Sequence, residues 1–384
     1  MKNFKIIIPI LIMILMSSST VLADSEIKPE EVLKSGGNLN KETSQALQQT
    51  LDRITGELKV PGLQVSITKG DKVWSGVAGS VDRKGKESLE KDHILRIGSL
   101  TKIYTATVIL KLEEEGLLNF DDKLSKWYPD FVGADKITVD YLLKHRTGIY
   151  NYSGNIWFYL KSVFSSEREF KAEEVMEIAA KRELKFEPGT EYSYSNTNYL
   201  LLGLIAEQVS GESMARLYDK YIFTPLCLNN THFVPYETVP EKMIAGYDGD
   251  VIPLITNKIK PENKTWPTGA FTAGAVSSNA NDLVIFMENI FNNNLLSNES
   301  LRKMTDFQSG PGFEKSNMSG YGYGIFKMKL NKDILWGHNG SIIGYGAAVF
   351  YCPEKDYIIA VTGNYSMLDA IAIVEQFQKA IAKI

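Results

Sequence analysis

Cysteine and histidine are scarce in this 384-residue chain, which holds two of the first and four of the second. Cys227 and Cys352 lie far apart and read as two independent small apolar residues, not as a disulfide framework. The histidines are scattered without ligand spacing, which argues against a structural zinc site. An excess of one charge is lacking too. Lys and Arg number 42 against 46 Asp and Glu, a formal net charge of -4, and the signs are interspersed. The lack of a basic stripe to neutralise phosphates argues against nucleic acid as a partner. There is no internal repeat or low-complexity run, and no apolar run reaches the roughly 20 residues that span a bilayer. What is present is an ordinary globular mixture, 44% hydrophobic and 23% charged, long enough for one large domain or two lobes around a sizeable core. A small or peptidic substrate fits that surface.

The first residues read as an export signal. Lys2 and Lys5 precede an apolar run from Ile6 to Met16, and Val21-Leu22-Ala23 supplies a small-residue cleavage site. The mature chain is expected to begin near Asp24. No cysteine stands there to accept lipid, so the product is expected to be secreted or loosely wall-associated, without a stable membrane anchor. Residues 24–42 read as a polar N-terminal linker, and residues 43–384 as the folded domain.

Leu47, Leu51, Ile54 and Leu58 fall at helical spacing over Ser44 to Leu58, with Thr43 as the expected cap. Alternation at Leu63, Val65 and Ile67, then Gly70-Asp71, then Val73 to Gly79 predicts a β-hairpin. A second hairpin is predicted from Gly346 to Cys352 and Tyr357 to Thr362, followed by an amphipathic helix carrying Leu368, Ile371, Val374, Phe377 and Ile381 on one side. Strands thus cluster at both ends, with helical periodicity between. The fold class is α/β of the α+β type: an antiparallel sheet flanked by helices, with a mostly helical lobe inserted over about 103–270. The cleft between lobes is the natural site.

Three segments carry chemistry. In Arg96-Ile97-Gly98-Ser99-Leu100-Thr101-Lys102, a helix starting at Ser99 places Ser99 and Lys102 one turn apart on one face. Backbone N–H groups at the helix start favour a developing oxyanion, and a buried lysine loses basicity until it serves as a base. In Tyr192-Ser193-Tyr194-Ser195-Asn196-Thr197-Asn198, Tyr194 and Asn196 point the same way on an extended backbone. A phenol relays protons and an amide grips a substrate. That polar stretch reads as a solvated loop before a helix beginning near Tyr199. In Trp336-Gly337-His338-Asn339-Gly340-Ser341, glycines flanking His338 permit close backbone approach at a cleft edge, and the Ser341 N–H can be a second oxyanion donor. Each motif alone is weak.

Together and in this order they resemble the penicillin-recognising serine hydrolases, the superfamily of penicillin-binding proteins and serine β-lactamases marked by Ser-x-x-Lys, Tyr-x-Asn and Lys/His-x-Gly. Leu142-Leu143-Lys144-His145-Arg146-Thr147-Gly148 and Thr272-Ala273-Gly274-Ala275-Val276-Ser277-Ser278, followed by Asp282-Leu283, extend the match, which covers roughly Thr43 onward. The branch resembled holds class C β-lactamases, secreted D-alanyl-D-alanine carboxypeptidases and alkaline D-peptidases, the last two being nearest. The resemblance implies Ser99 as nucleophile, Lys102 and Tyr194 as the proton-transfer pair, and Asn196 orienting the substrate amide. His338 takes the third motif's cationic or hydrogen-bonding position, with Gly340 and Ser341 beside it and Trp266 walling the cleft. It implies no metal and no organic cofactor, β-lactams as covalent ligands, D-peptide or peptidoglycan stem-peptide substrates, and a monomer. His145 reads as structural.

Two departures from the pattern bear on substrate. His338 replaces the lysine common in β-lactamases, which weakens the expectation of a permanent charge facing a carboxylate. Gly320-Tyr321-Gly322-Tyr323-Gly324-Ile325 is followed by Phe326 where a carboxypeptidase of this branch would carry arginine, leaving Lys327 or Lys329 as substitutes. The function expected is an acyl-enzyme hydrolase of D-amino-acid-containing peptides, either a D-alanyl-D-alanine carboxypeptidase or a D-stereospecific peptidase. The alternatives are an esterase or weak β-lactamase on the same residues, or a non-catalytic wall sensor.

Overall fold

The computed structural model describes residues 39–165, 167–235, 238–248, 258–311, 313 and 317–382. The export signal and most of the linker lie outside the described residues.

Helix α1 (Lys41–Leu58) is capped by Asn40, whose side chain accepts from the Thr43 N–H at 2.8 Å. The expected cap Thr43 instead lies inside the first turn, because the asparagine one turn earlier supplies the acceptor. Strands β1 (Gly62–Lys69) and β2 (Lys72–Gly79) form the first hairpin, and β3 (Leu95–Arg96) leads through a 3₁₀ turn at Gly98–Leu100 into α2 (Thr101–Glu114). The helical part continues with α3 (Val139–Leu143), α4 (Ile156–Phe164), α5 (Ala172–Ala180), α6 (Asn196–Ser210) and α7 (Met214–Tyr218). Short strands β4 (His232–Phe233), β5 (Gly246–Tyr247) and β6 (Lys258–Ile259) precede α8 (Thr265–Ala270), β7 (Val276–Ser278), α9 (Ala280–Phe291) and α10 (Asn298–Met304). The chain closes with β8 (Met318–Tyr321), β9 (Phe326–Leu330), β10 (Asp333–Ile342), β11 (Tyr345–Cys352), β12 (Tyr357–Gly363) and α11 (Ala370–Ile381).

The main sheet runs β2-β1-β12-β11-β10-β9-β8, antiparallel throughout. First and last strands pair inside the sheet, one strand in from its β2 edge, where Ile67 faces Ile359 and Val65 faces Val361, so the sheet closes only when both chain ends are in place. Both faces are covered, and its central strands accordingly read as nearly unbroken apolar runs instead of an alternation. Leu47, Leu51, Val65, Phe350 and Phe377 fill one face beneath α1 and α11. Truncating a side chain such as Phe377 to alanine there costs about 3–5 kcal/mol. The stripe α11 buries is Ala370, Ile373, Val374, Phe377 and Ile381, whereas Leu368 precedes the helix. The opposite face, with Ala347, Val349, Ile358 and Ala360, joins the helical core around α2.

Helix α2 is buried on nearly every side from Thr101 to Leu110, the signature of a central helix with no wet face. A lysine within it therefore meets protein on all sides. Cys227 is exposed and Cys352 buried, and neither is bonded to the other. No helix among the described residues is long and apolar enough to cross a membrane.

Candidate active site

Ser99 sits in the 3₁₀ turn that joins β3 to α2. Gly98 adopts φ +54°, and a Cβ there would lie 2.8 Å from the Ser341 carbonyl oxygen. The turn therefore requires glycine on both conformational and steric grounds. From the next turn of helix, Lys102 Nζ reaches Ser99 Oγ at 3.2 Å. It donates to Asn196 Oδ1 at 2.8 Å and to the Ala273 carbonyl at 2.7 Å. Tyr194 Oη donates to Ser99 Oγ at 3.0 Å. One hydroxyl oxygen is thus held between an amine and a phenol.

Burial decides the protonation of both neighbours. Desolvation pushes Lys102 well below its ordinary value, because a dry site disfavours the ammonium. The same desolvation pushes the Tyr194 phenol above its ordinary value, against a smaller opposite pull from its bond to Ser99. A basic amine and a protonated phenol therefore flank the serine. The amine's two carbonyl-type partners can only accept, so its remaining position faces Ser99 Oγ, as a lone pair in the neutral amine or a third donor in the ammonium.

Asn196 opens α6, and its Oδ1 faces Lys102 while its Nδ2 donates to Ser153 Oγ at 3.1 Å. Tyr194 and Asn196 converge on the serine–lysine pair, as their spacing suggests. The polar stretch around them is not a solvated loop, however. Ser195, Thr197 and Asn198 are fully buried. Tyr150 O accepts from Ser195 Oγ and Thr197 Oγ1, and Asn198 Oδ1 accepts from Thr147 Oγ1. Reading polarity as exposure fails here because each buried group has its own partner.

The opposite wall is β10. Its pairing with β9 ends at Gly337 against Phe326, while pairing with β11 continues to Ile342. The edge so released lies against the nucleophile turn, where a Cβ on Gly340 would stand 2.0 Å from the Ile97 carbonyl oxygen and 2.9 Å from Ser99 N. His338 is buried and engaged within the protein. Its Nε2 accepts from Tyr321 Oη at 3.2 Å and its Nδ1 donates to the Asn339 carbonyl. Burial pushes it down to about 3. The position is therefore hydrogen-bonding and not cationic.

Phe326 packs on the His338 ring, with centroids 4.9 Å apart. Lys327 pairs with Trp336 and Lys329 with Ile334, the latter about 13 Å along the strand from His338 at ~3.3 Å per residue. Trp266, half-buried on α8, meets Tyr159 edge-on at 6.4 Å. Sequence reasoning assigns no role to the Ala273 carbonyl, Ser153 or Tyr321. Ala273 lies in a recognisable motif, but a backbone acceptor leaves no residue-type signal. His145 stands in a turn-like sequence context, yet its ring lies 4.4 Å from that of Tyr194. Among the described residues no three His, Cys, Asp or Glu side chains gather as a metal site.

The chain is similar to known proteins over most of its length. Penicillin-binding protein 4* of Bacillus subtilis (strain 168) is 28% identical over 328 residues, 82% of this chain and 71% of that protein. Protein flp of Staphylococcus aureus (strain N315) is 25% identical over 357 residues, 89% of this chain and 67% of the relative. Among solved structures, D-amino acid amidase from Ochrobactrum anthropi SV3 complexed with D-phenylalanine superposes with a TM-score of 0.80 at 25% identity, covering 89% of this chain and 99% of the other. D-stereospecific amidohydrolase from Streptomyces sp. gives a TM-score of 0.78 at 27% identity with the same coverage. The beta-lactamase family profile matches residues 47–372, most of the chain. With a serine, a dry lysine and a tyrosine gathered on one oxygen, this chain belongs to the beta-lactamase family of penicillin-binding-protein-like serine hydrolases.

Proposed function

We propose that the protein is an exported D-stereospecific hydrolase that cleaves D-amino-acid amide or peptide bonds through an acyl-enzyme on Ser99. The observation that carries the reading is the placement of Ser99 Oγ between Lys102 Nζ at 3.2 Å and Tyr194 Oη at 3.0 Å. The neutral Lys102 amine takes the Ser99 proton as Oγ attacks the substrate carbonyl carbon. The oxyanion settles between the N–H groups of Ser99 and Ser341. Tyr194 gives its proton to the leaving nitrogen, the C–N bond breaks, and the lysine ammonium returns a proton to the phenolate. Water then attacks the acyl carbon, its proton passes to the Lys102 and Tyr194 pair, and Ser99 Oγ leaves reprotonated.

The substrate class rests on two supports. By their names one neighbour is a D-amino acid amidase and the other a D-stereospecific amidohydrolase, and this chain resembles their fold over most of its length. The neutral, internally bonded His338 and the Phe326 packed upon it leave the sheet wall without a fixed cation for a free terminal carboxylate. Amides and internal D-peptide bonds therefore suit the site better than C-terminal D-alanine, which makes carboxypeptidase activity the second reading.

The test incubates the mature protein and Ser99→Ala with a fluorescent penicillin, D-phenylalanine amide, D-phenylalanine oligomers and D-alanyl-D-alanine peptides. Ser99-dependent label with release of ammonia or D-phenylalanine supports the proposal. D-alanine release alone makes it a carboxypeptidase, and ester or β-lactam turnover alone makes it one of the family's other hydrolases. Label without any turnover leaves a penicillin-binding wall sensor. Turnover should fall at acid pH as Lys102 becomes protonated, and an acid optimum on a soluble D-amide would overturn the assignment of lysine as base.

A further inference from the structure

Tyr194 reaches Ser99 from a segment that His145 holds on both sides. The His145 carbonyl accepts from the Ser193 N–H at 3.0 Å, and its ring Nδ1 accepts from the Ser195 N–H at 3.3 Å. Backbone and side chain of one residue thus clasp the neighbours before and after Tyr194. The ring can turn back to do this because His145 adopts φ +55°, a left-handed conformation that few side chains tolerate.

The tautomer follows from hydrogen-bond logic. Thr147 Oγ1 takes the Ile149 N–H at 3.1 Å and so gives its own proton to Asn198 Oδ1 at 2.8 Å. This turns the Asn198 amide so that Nδ2, a donor only, faces His145 Nδ1 at 3.1 Å. With two donors aimed at it, Nδ1 is unprotonated and the proton sits on Nε2. That nitrogen is buried without a polar partner, among the rings of Tyr194, Tyr321 and Tyr199 at centroid distances of 4.4, 4.8 and 5.1 Å. An N–H in such a cage meets π faces instead of a lone pair.

We infer that His145 is a positioning residue for catalysis: as a neutral imidazole it fixes the Tyr194 phenol against Ser99 through the acceptor at Nδ1, and takes no proton itself. The inference rests on the acyl-enzyme reading above. A misplacement of the phenol by about 1 Å is worth about 10²-fold in rate, and both acylation and deacylation use that phenol.

The variants separate positioning from packing. His145→Phe keeps a ring but deletes the acceptor, whereas His145→Asn keeps an acceptor near the Nδ1 position and suits the left-handed backbone. Asn198→Asp leaves His145 in place but removes the donor that sets its tautomer, so Nδ1 becomes a donor and releases Ser195. With D-phenylalanine amide as substrate, His145→Phe is expected to lose about 10²-fold in kcat with KM changed less than about threefold. Asn198→Asp should lose kcat in the same range, and His145→Asn should recover to within about tenfold of wild type. Nitrogen-15 NMR of the wild type should show His145 protonated at Nε2 alone, a readout that needs no turnover. Unchanged kcat in folded His145→Phe or Asn198→Asp, equal losses in the phenylalanine and asparagine variants, or a protonated Nδ1 would each overturn the inference. Absence of both Ser99-dependent label and turnover in the wild type would instead fail the acyl-enzyme reading, with the NMR tautomer still deciding the geometry.

Discussion

The two walls of the cleft are built from different parts. On the helical side, side chains do the positioning: Lys102 arrives from α2, Tyr194 from the segment before α6 and Asn196 from its first residue, and hydrogen bonds pin all three. On the sheet side, backbone does it. Gly340 and Ser341 of β10 press against Gly98 and Ser99 so closely that a single methyl has no room. Each wall has a buried histidine beside Tyr194, and burial pushes both below their ordinary values. The histidines support the walls as neutral hydrogen-bonding groups, and Lys102 and Tyr194 are the groups placed to exchange a proton with Ser99. A side-chain wall is damaged by losing a functional group, a backbone wall by gaining a carbon.

The largest effect should come from the side-chain wall. Lys102→Met keeps an unbranched side chain one atom shorter and removes the base, and the acylation rate by a D-amide or fluorescent penicillin is expected to fall about 10³-fold or more. Asn196 Oδ1 and the Ala273 carbonyl would lose their donor, at about 1–3 kcal/mol each if left dry, partly offset by removal of a buried amine. A folded Lys102→Met enzyme with near-native acylation would erase the contrast, because the sheet wall would then suffice. Next comes the backbone wall. Gly340→Ala sets a Cβ 2.0 Å from the Ile97 carbonyl oxygen, so β10 must retreat from Ser99. Loss of oxyanion alignment is expected to lower kcat about 10²-fold with the proton-transfer side chains untouched.

The histidines give a thermodynamic test. The folded value for His338 is about 3, below the ~6.5 of an unfolded imidazole, so between these values the unfolded chain binds a proton that the folded one refuses. The contribution is complete above pH 6.5 and is lost as pH falls toward 3. Its slope is about 1.4 kcal/mol per pH unit, or on the order of 2 kcal/mol between pH 6.5 and 5. His145 shifts in the same direction by the same cause. Urea unfolding at pH 7 and pH 5 should show this loss, and His338→Gln should reduce it by about the His338 share. An unchanged slope in that variant would mean that the imidazole is not held neutral by the sheet wall.

How much of this is legible in the sequence also divides by wall. Periodicity places both hairpins and the terminal helices, since Leu63-Val65-Ile67 and Phe377-Ile381 have regular spacings that burial demands. Ser99, Lys102, Tyr194 and Asn196 can be named from motif order, because their chemistry lies in the side-chain type. The backbone contributions are harder to see. No letter marks the Ala273 carbonyl as an acceptor, and the role of Gly340 depends on a chain segment some 240 residues away in sequence. His145 is only half legible for a related reason. Its partners are backbone N–H groups and Asn198, and only the left-handed turn at 145 swings the ring toward Tyr194. The burial of Ser195 to Asn198 is likewise invisible, because composition reports polarity and not whether a partner waits inside.

The smallest expected effect is the control that gives the glycine argument its meaning. Gly56 lies in the last turns of α1, exposed, with nothing within 4 Å of the point a Cβ would occupy and an ordinary helical backbone. Alanine there restricts the unfolded chain and fits the folded one, so Gly56→Ala should stabilise the protein by up to about 0.5–1 kcal/mol. Its kcat on a D-amide should equal that of wild type, since α1 covers the sheet face remote from Ser99. The same added methyl is thus expected to be mildly stabilising on α1 and to disable catalysis on β10. Urea midpoints and turnover measured side by side for Gly56→Ala and Gly340→Ala check this directly. Equal activity in the two variants would show that β10 can yield without moving the oxyanion donors, and the sheet wall would no longer count as part of the catalytic apparatus.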